Sequence, residues 1–135
     1  MTLTLAEKTQ LCALAADSKK AEDIVVLDVR QLSSVADHFL ICSGTSDRQV
    51  RAIADAIAEE LAPYGEKPLA MEGYQQGTWV LMDCADLIVH VFDDDTRRFY
   101  DLERLWYRAP RVEVPGVALA MPRTAASEAL LVEEG

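Results

Sequence analysis

No apolar stretch in this 135-residue chain approaches the roughly 20 consecutive residues a helix needs to cross a bilayer. Residues 1–14 carry Glu7 and Lys8 and lack the basic-then-apolar order of a secretory leader. They are also poorer in Arg and richer in acid than an organelle transit sequence, so a cytoplasmic protein without membrane contact is expected. Cysteine is scarce. Cys12, Cys42 and Cys84 are odd in number, far apart and outside any CxxC, which leaves no disulfide framework and suits a reducing compartment. All three are expected to be buried small hydrophobes. Cations are short as well: 13 Lys and Arg stand against 23 Asp and Glu, a formal charge of −10. Such a charge repels a phosphate backbone, whose binding draws on clustered Lys and Arg, so direct nucleic-acid contact is not expected. The same field favours a basic protein partner.

What is present suits one α/β domain with a single main core. Internal repeats and low-complexity tracts are absent. Residues 4–20 carry a helical pattern in which Leu5, Leu11, Leu14 and Ala15 can share a face. Ile24-Val25-Val26-Leu27-Asp28-Val29 is β-branched and reads as a strand, and residues 38–43 as a second. After Gly44-Thr45-Ser46-Asp47, the residues Val50, Ile53, Ala54, Ile57 and Leu61 keep helical spacing. Ser46 and Gln49 fit a capping box, and Pro63 with Gly65 ends that helix. Short strands are expected near 68–72, 78–83 and 87–92, the last two joined by a hairpin at Cys84-Ala85. Asp93, Asp94 and Asp95 precede a last helix, 96–106, where negative charge favours the N-terminus. The order predicts a mixed sheet of about five strands with helices mainly on one face. Beyond Tyr107, Pro110, Pro115 and Pro122 interrupt every element. The domain is therefore drawn over 1–107, with 108–135 an extended or partly disordered tail. In that tail only 127–134 has the makings of a short helix, and only if it docks on something.

Catalytic signals are thin. The turn at Gly44 lacks the GxxxxGK[ST] spacing of a phosphate loop and the glycines of a dinucleotide fingerprint. A two-metal phosphoryl-transfer site needs an Asp-x-Asp pair at strand spacing after such a turn, whereas Asp47 and Asp55 fall in the helical segment. His38 and His90, the only histidines, have no ligand-pair spacing, and no metal or other cofactor is expected. His90 alternates with Ile88 and Phe92 in a strand, and Asp28 is placed to pair with it across the sheet. The aromatics carry more information. Tyr74, Trp79, Phe99, Tyr100, Trp106 and Tyr107 are interleaved with Glu72, Asp83, Asp86 and Glu103. Trp and Tyr concentrate in interface hot spots. Phe99, Leu102 and Trp106 share a helical face, and Phe99 and Leu102 are expected in the core. In Thr78-Trp79-Val80-Leu81-Met82-Asp83, Trp79 shares a strand face with Leu81 and Asp83, opposite Val80 and Met82. If helices cover only the other face, this one is both apolar and acidic.

Several stretches, taken in order over about residues 20–107, resemble the ribosomal silencing factor (Iojap-like) family. They are Asp23-Ile24-Val25-Val26-Leu27-Asp28-Val29, Ser33-Ser34-Val35-Ala36-Asp37-His38-Phe39-Leu40-Ile41 and Ser43-Gly44-Thr45-Ser46-Asp47-Arg48-Gln49-Val50. Further on come Glu72-Gly73, Trp79-Val80-Leu81-Met82-Asp83, Asp86-Leu87-Ile88-Val89-His90-Val91-Phe92 and Arg98-Phe99-Tyr100-Asp101-Leu102-Glu103-Arg104-Leu105-Trp106. The resemblance implies a nucleotidyltransferase-like fold without the catalytic carboxylates. It also implies a factor that binds the large ribosomal subunit through a basic protein, the universal large-subunit protein numbered fourteen. Bound there it would block the small subunit from joining and repress translation when nutrients are scarce, with no catalytic residue. Within the matching motifs the partner-binding candidates are Trp79, Tyr100, Glu103 and Trp106, followed by Glu72, Tyr74 and Asp83. An open apolar strand face would also suit a homodimer. The alternative is a divergent nucleotidyltransferase or nucleotide-binding enzyme.

Overall fold

A computed structural model describes residues 2–120. Helix α1 (Leu5–Ser18) begins in a reciprocal capping box. The Glu7 N–H donates to Thr4 Oγ1 at 3.1 Å and the Thr4 N–H donates to Glu7 Oε1 at 2.9 Å. Its buried face carries Lys8 and Thr9 and then the small residues Cys12, Ala13, Ala15 and Ala16, while Leu14 is exposed, so the expected leucine face is displaced. Small side chains there let α1 lie close against α2 (Asp47–Leu61), which buries Val50, Ile53, Ala54, Ile57 and Leu61 as its spacing predicts. Ser46 caps α2 by accepting from the Gln49 N–H at 3.1 Å. The Gln49 side chain does not complete the box. Its Oε1 accepts from Thr45, and its Nε2 donates to the carbonyls of Lys19 and Lys20, which ties the end of α1 to the start of α2.

Five strands follow the order β1-β2-β5-β4-β3: β1 (Glu22–Asp28), β2 (His38–Gly44), β3 (Ala70–Glu72), β4 (Trp79–Cys84) and β5 (Leu87–Asp93). The β2–β5 pair is parallel and the others are antiparallel, so the sheet is mixed as expected. The hairpin between β4 and β5 turns at Ala85-Asp86, with Ala85 in the left-handed region at φ 70°. One face of the sheet carries Ile24, Val26, Leu40, Cys42, Val80, Met82, Val89 and Val91 against α1 and α2, forming the larger core. The other face gathers Val25, Leu27, Phe39, Ile41, Ile88 and Phe92 in a second cluster, roofed only in part by Leu102 and Trp106. All three cysteines are buried and free.

Three further local expectations give way. The last helix is two helices, α3 (Asp94–Tyr100) and α4 (Leu102–Leu105), broken at Asp101 with φ 50°. The break rotates Phe99 outward to 80% exposure, while Leu102 and Trp106 pack on the second cluster. Asp28 does not meet His90, because β2 lies between their strands. It sits opposite His38 and pairs with Arg30, whose Nε donates to Asp28 Oδ1 at 3.0 Å. The boundary after Tyr107 cuts through packed structure. The chain from 108 to 120 runs back along the outer edge of β1, with the Asp28 N–H donating to Pro110 O, the Val112 N–H to Val26 O and the Ala120 N–H to Ile24 O. It contributes Ala109 and Val114 to the two clusters. The short helix expected over 127–134 lies outside the described residues.

A candidate partner-binding face

Antiparallel pairing places Trp79 opposite Phe92, Leu81 opposite His90 and Asp83 opposite Ile88. The next strand adds Glu72 beside Leu81 and Ala70 beside Asp83. Side chains alternate across a strand, so Glu72, Trp79, Leu81 and Asp83 project from the face away from α1 and α2. Burial along β4 agrees: Val80, Met82 and Cys84 are buried, whereas Trp79, Leu81 and Asp83 are half-exposed.

The two tryptophans are joined across this face by a run of rings. Trp79 stacks on Phe92 with centroids 5.0 Å apart and meets Tyr100 at 4.7 Å. His90 lies 6.0 Å from Trp79 and 5.2 Å from Phe39, which in turn meets Trp106 edge-on at 5.0 Å. Such offset and edge-to-face contacts fix ring orientation beyond what burial alone achieves. The Trp79 Nε1–H donates to His90 Nδ1 at 3.2 Å. Burial pushes the His90 pKa down to about 4, so the imidazole is neutral and can accept that bond. Tyr100, Leu105 and Tyr107 follow at 51%, 73% and 62% exposure. Exposed aromatic and aliphatic groups of this size make the face a candidate for partner contact.

Five of the seven sequence candidates therefore lie together: Trp79, Tyr100, Trp106, Glu72 and Asp83. Glu103 does not belong with them. It is 2% exposed and lies beneath the α3–α4 break, where Arg97 Nε donates to its Oε1 at 2.9 Å and Nη2 to its Oε2 at 3.3 Å. Arg97 Nη1 also donates to Ser43 Oγ on β2 at 2.8 Å, so this buried ion pair pins both short helices to the sheet. Glu103 holds the face in place without presenting anything to a partner. Tyr74 also departs, since its hydroxyl donates to Asp55 Oδ2 on α2 at 2.8 Å, toward the helix-covered side. Sequence reasoning placed Phe99 in the core, where its helical spacing with Leu102 and Trp106 argued for burial, and did not single out Leu105; both are exposed, as is Tyr107.

The turn at Gly44 looks different in three dimensions. It opens onto a cleft of about 520 Å³ lined by Glu22, Asp23, Asp93, Asp94 and Asp95, which linear spacing did not bring together. Arg98 is the cation among the described residues of that lining, and it pairs with Asp94 at 3.0 Å. Asp93 is engaged as the cap of α3, accepting from the Thr96 N–H at 2.8 Å. Among the described residues no group of three or more His, Cys, Asp or Glu is arranged to hold a metal ion. A phosphate entering this cleft would meet a concentration of negative charge.

The class these observations define is a small α/β domain with two helices on one face of a five-stranded mixed sheet and a partly covered aromatic face on the other. The particular family follows from comparison with known proteins. A family model described as "Ribosomal silencing factor during starvation" matches residues 2–132. "Ribosomal silencing factor RsfS" of Halalkalibacterium halodurans is 47% identical over 111 residues, which cover 82% of this chain and 95% of that one. A crystal structure of a Chromobacterium violaceum protein superimposes with a TM-score of 0.76 at 32% identity, covering 89% of this chain and 98% of that one. A more distant relative, "Mitochondrial assembly of ribosomal large subunit protein 1" of Mus musculus, is 30% identical over 91 residues, and the match covers 40% of its length. The chain belongs to the ribosomal silencing factor family.

Proposed function

We propose that the face bearing Trp79, Tyr100 and Trp106, edged by Glu72 and Asp83, docks on the large ribosomal subunit through a basic protein, the universal large-subunit protein numbered fourteen. A domain seated there keeps the small subunit from joining and so represses translation in the cytoplasm. The protein acts by occupying a surface, not by catalysis. The observation that carries this reading is the ring-linked run from half-exposed Trp79 to half-exposed Trp106, with Tyr100 exposed beside it, on a chain whose formal charge of −10 favours a basic protein over RNA. Family membership supplies the ribosome, and the mouse relative's name points to the large subunit.

Co-sedimentation with purified large subunits tests the reading. Tyr100→Ala and Trp106→Ala each remove a hot-spot side chain worth about 2 kcal/mol, which weakens Kd about thirtyfold. Folded variants that pellet with large subunits as well as the unaltered chain does would remove the face from the proposal. In the same assay, the chain added to separated subunits lowers the fraction of joined ribosomes. A nucleotidyltransferase reading would need the carboxylate-lined cleft to accept a nucleotide. Calorimetry with a magnesium nucleotide is expected to show no binding there, because the lining repels phosphate.

A further inference from the structure

We infer that the docking face ends, beside β1, in a corner that takes the phosphate backbone of ribosomal RNA, with Arg108 as the leading contact and Arg30 beside it. The inference rests on the reading of this face as the large-subunit contact and adds a second partner chemistry to it. A formal charge of −10 describes the whole chain and not this corner. Arg30 and Arg108 line one cleft of about 600 Å³ together with Asp28, Gln31, Leu32 and Pro110. Asp28 is the carboxylate among the described residues of that lining, and it is already engaged by Arg30 Nε at 3.0 Å. Asp28 and Asp37 offset Arg30, so the free excess of positive charge sits on Arg108. The Arg108 guanidinium lies 5.5 Å from the Tyr107 ring centroid, and its Nε donates to the Tyr107 hydroxyl at 3.0 Å. That seat leaves Nη1 and Nη2 without a partner among the described residues. A guanidinium held in this way presents the fork that grips a phosphate through two parallel bonds. Arg104 is exposed in the same turn, where its carbonyl accepts from the Tyr107 N–H at 3.3 Å.

The corner is continuous with the aromatic face and opposite to it in charge. Trp106 and Ala109 pack in one cluster with Leu27, Val29 and Phe39, and the Asp28 N–H donates to Pro110 O, which fixes residues 108–110 at the end of β1. Glu72 and Asp83 stand at the far side, on β3 and β4. In the order β1-β2-β5-β4-β3, three to four strand spacings separate the two ends, about 14–19 Å. A partner that suits both ends is basic at one point and anionic at another that far away. On a ribosomal subunit the anion nearest a basic protein is the RNA phosphate that this protein neutralises. Phosphate contacts position a domain without reading sequence. The rings therefore supply most of the affinity, and the corner sets the angle at which the domain sits. A reversed pose would bring like charges together at both ends.

Co-sedimentation of the full chain with purified large subunits, over a salt series at fixed magnesium, tests the corner. Arg108→Gln removes an exposed cation that pairs with no carboxylate among the described residues, so its unfolding midpoint is expected to stay unchanged. Losing one phosphate contact flattens the slope of log affinity against log salt by about 0.7–0.9. The deficit of Arg108→Gln therefore shrinks about threefold between about 50 and about 200 mM salt. Arg108→Lys keeps the charge and is expected to keep the slope. Arg48→Gln, an equal change of charge at an exposed position on α2, is expected to leave the slope alone. With the isolated universal protein numbered fourteen in place of the subunit, Arg108→Gln is expected to bind as tightly as the unaltered chain. An unchanged slope for Arg108→Gln overturns the inference. So does an equal loss on the isolated protein, which would make the contact a protein carboxylate, or an equal flattening in Arg48→Gln, which would make the effect one of net charge. Full subunit binding by Tyr100→Ala while Arg108→Gln still flattens the slope would remove the aromatic face and leave the phosphate corner standing. The reverse pattern would remove this inference and leave the aromatic face in place.

Discussion

Replacing Glu103 by Ala removes the carboxylate that accepts from Arg97 Nε and Nη2, leaving a guanidinium that is 2% exposed beside β2. An unpaired charge at such a site is costly because water cannot reach it. Breaking one half of a buried ion pair typically destabilises by about 3–5 kcal/mol, a cost that includes the stranded charge as well as the lost bonds. For a domain of this size 1 kcal/mol moves Tm by about 4 °C, so thermal unfolding of Glu103→Ala is expected about 12–20 °C below the unaltered chain. The double variant Arg97→Met, Glu103→Leu removes both charges at similar volume and recovers most of that loss. The assay is circular dichroism on heating, with large-subunit binding measured at a temperature where every variant is folded. A direct partner contact at Glu103 would give the opposite pattern, with Tm held within about 2 °C, as for an exposed substitution, and binding weakened. That result would refute the assignment of Glu103 to the scaffold.

Histidine 90 makes stability depend on pH. Its folded pKa, about 4, lies below the unfolded value of about 6.5. The unfolded chain therefore binds the extra proton first, and the contribution is complete above pH 6.5 and lost as pH falls toward 4. The loss over the window from pH 7 to pH 4.5 is about 2 kcal/mol, read as a falling denaturant midpoint that falls less in His90→Gln. Gly73 takes φ 80°, and a Cβ there would fall 2.0 Å from the Trp79 carbonyl oxygen. Gly73→Ala is thus expected to destabilise by at least about 1–3 kcal/mol and to shift tryptophan emission, checked by denaturation followed through fluorescence. Burial pushes the Cys42 and Cys84 thiols up to about 12 and about 11. A disulfide exchange reagent at pH 8 should titrate neither in the folded chain and all three cysteines once it is unfolded.

Much of the architecture was legible because local rules and global fold agree. Alternation along residues 79–83 sorted Trp79 from Val80 correctly, and the spacing of Val50, Ile53, Ile57 and Leu61 named the buried face of α2. Strand order was not legible, since nothing along the chain says that β2 separates β1 from β5, and the Asp28–His90 pairing failed on that point. The helix break was hidden because Asp101 adopts a left-handed conformation with no glycine to announce it. Once the break is missed, a helical wheel puts Phe99 inside and leaves Glu103 outside, the reverse of what the Arg97 pair enforces. The prolines beyond Tyr107 do exclude helix, but they do not exclude an extended run bonded to a sheet edge, and that is how residues 108–120 fold. The acidic cleft at Gly44 likewise needed the parallel β2–β5 pairing that sets Gly44 opposite Asp93.

The return of residues 108–120 along β1 has an effect on company as well as on stability. A strand with free amides and carbonyls recruits any other extended chain, whatever its sequence. Here one flank of the sheet is bonded to the chain's own backbone, and the opposite flank, β3, is three residues long. Association by shared backbone has little to grip on either flank. Contact is left to faces, where side chains choose the partner, so selectivity rests on what each face presents and not on a backbone any extended chain could match.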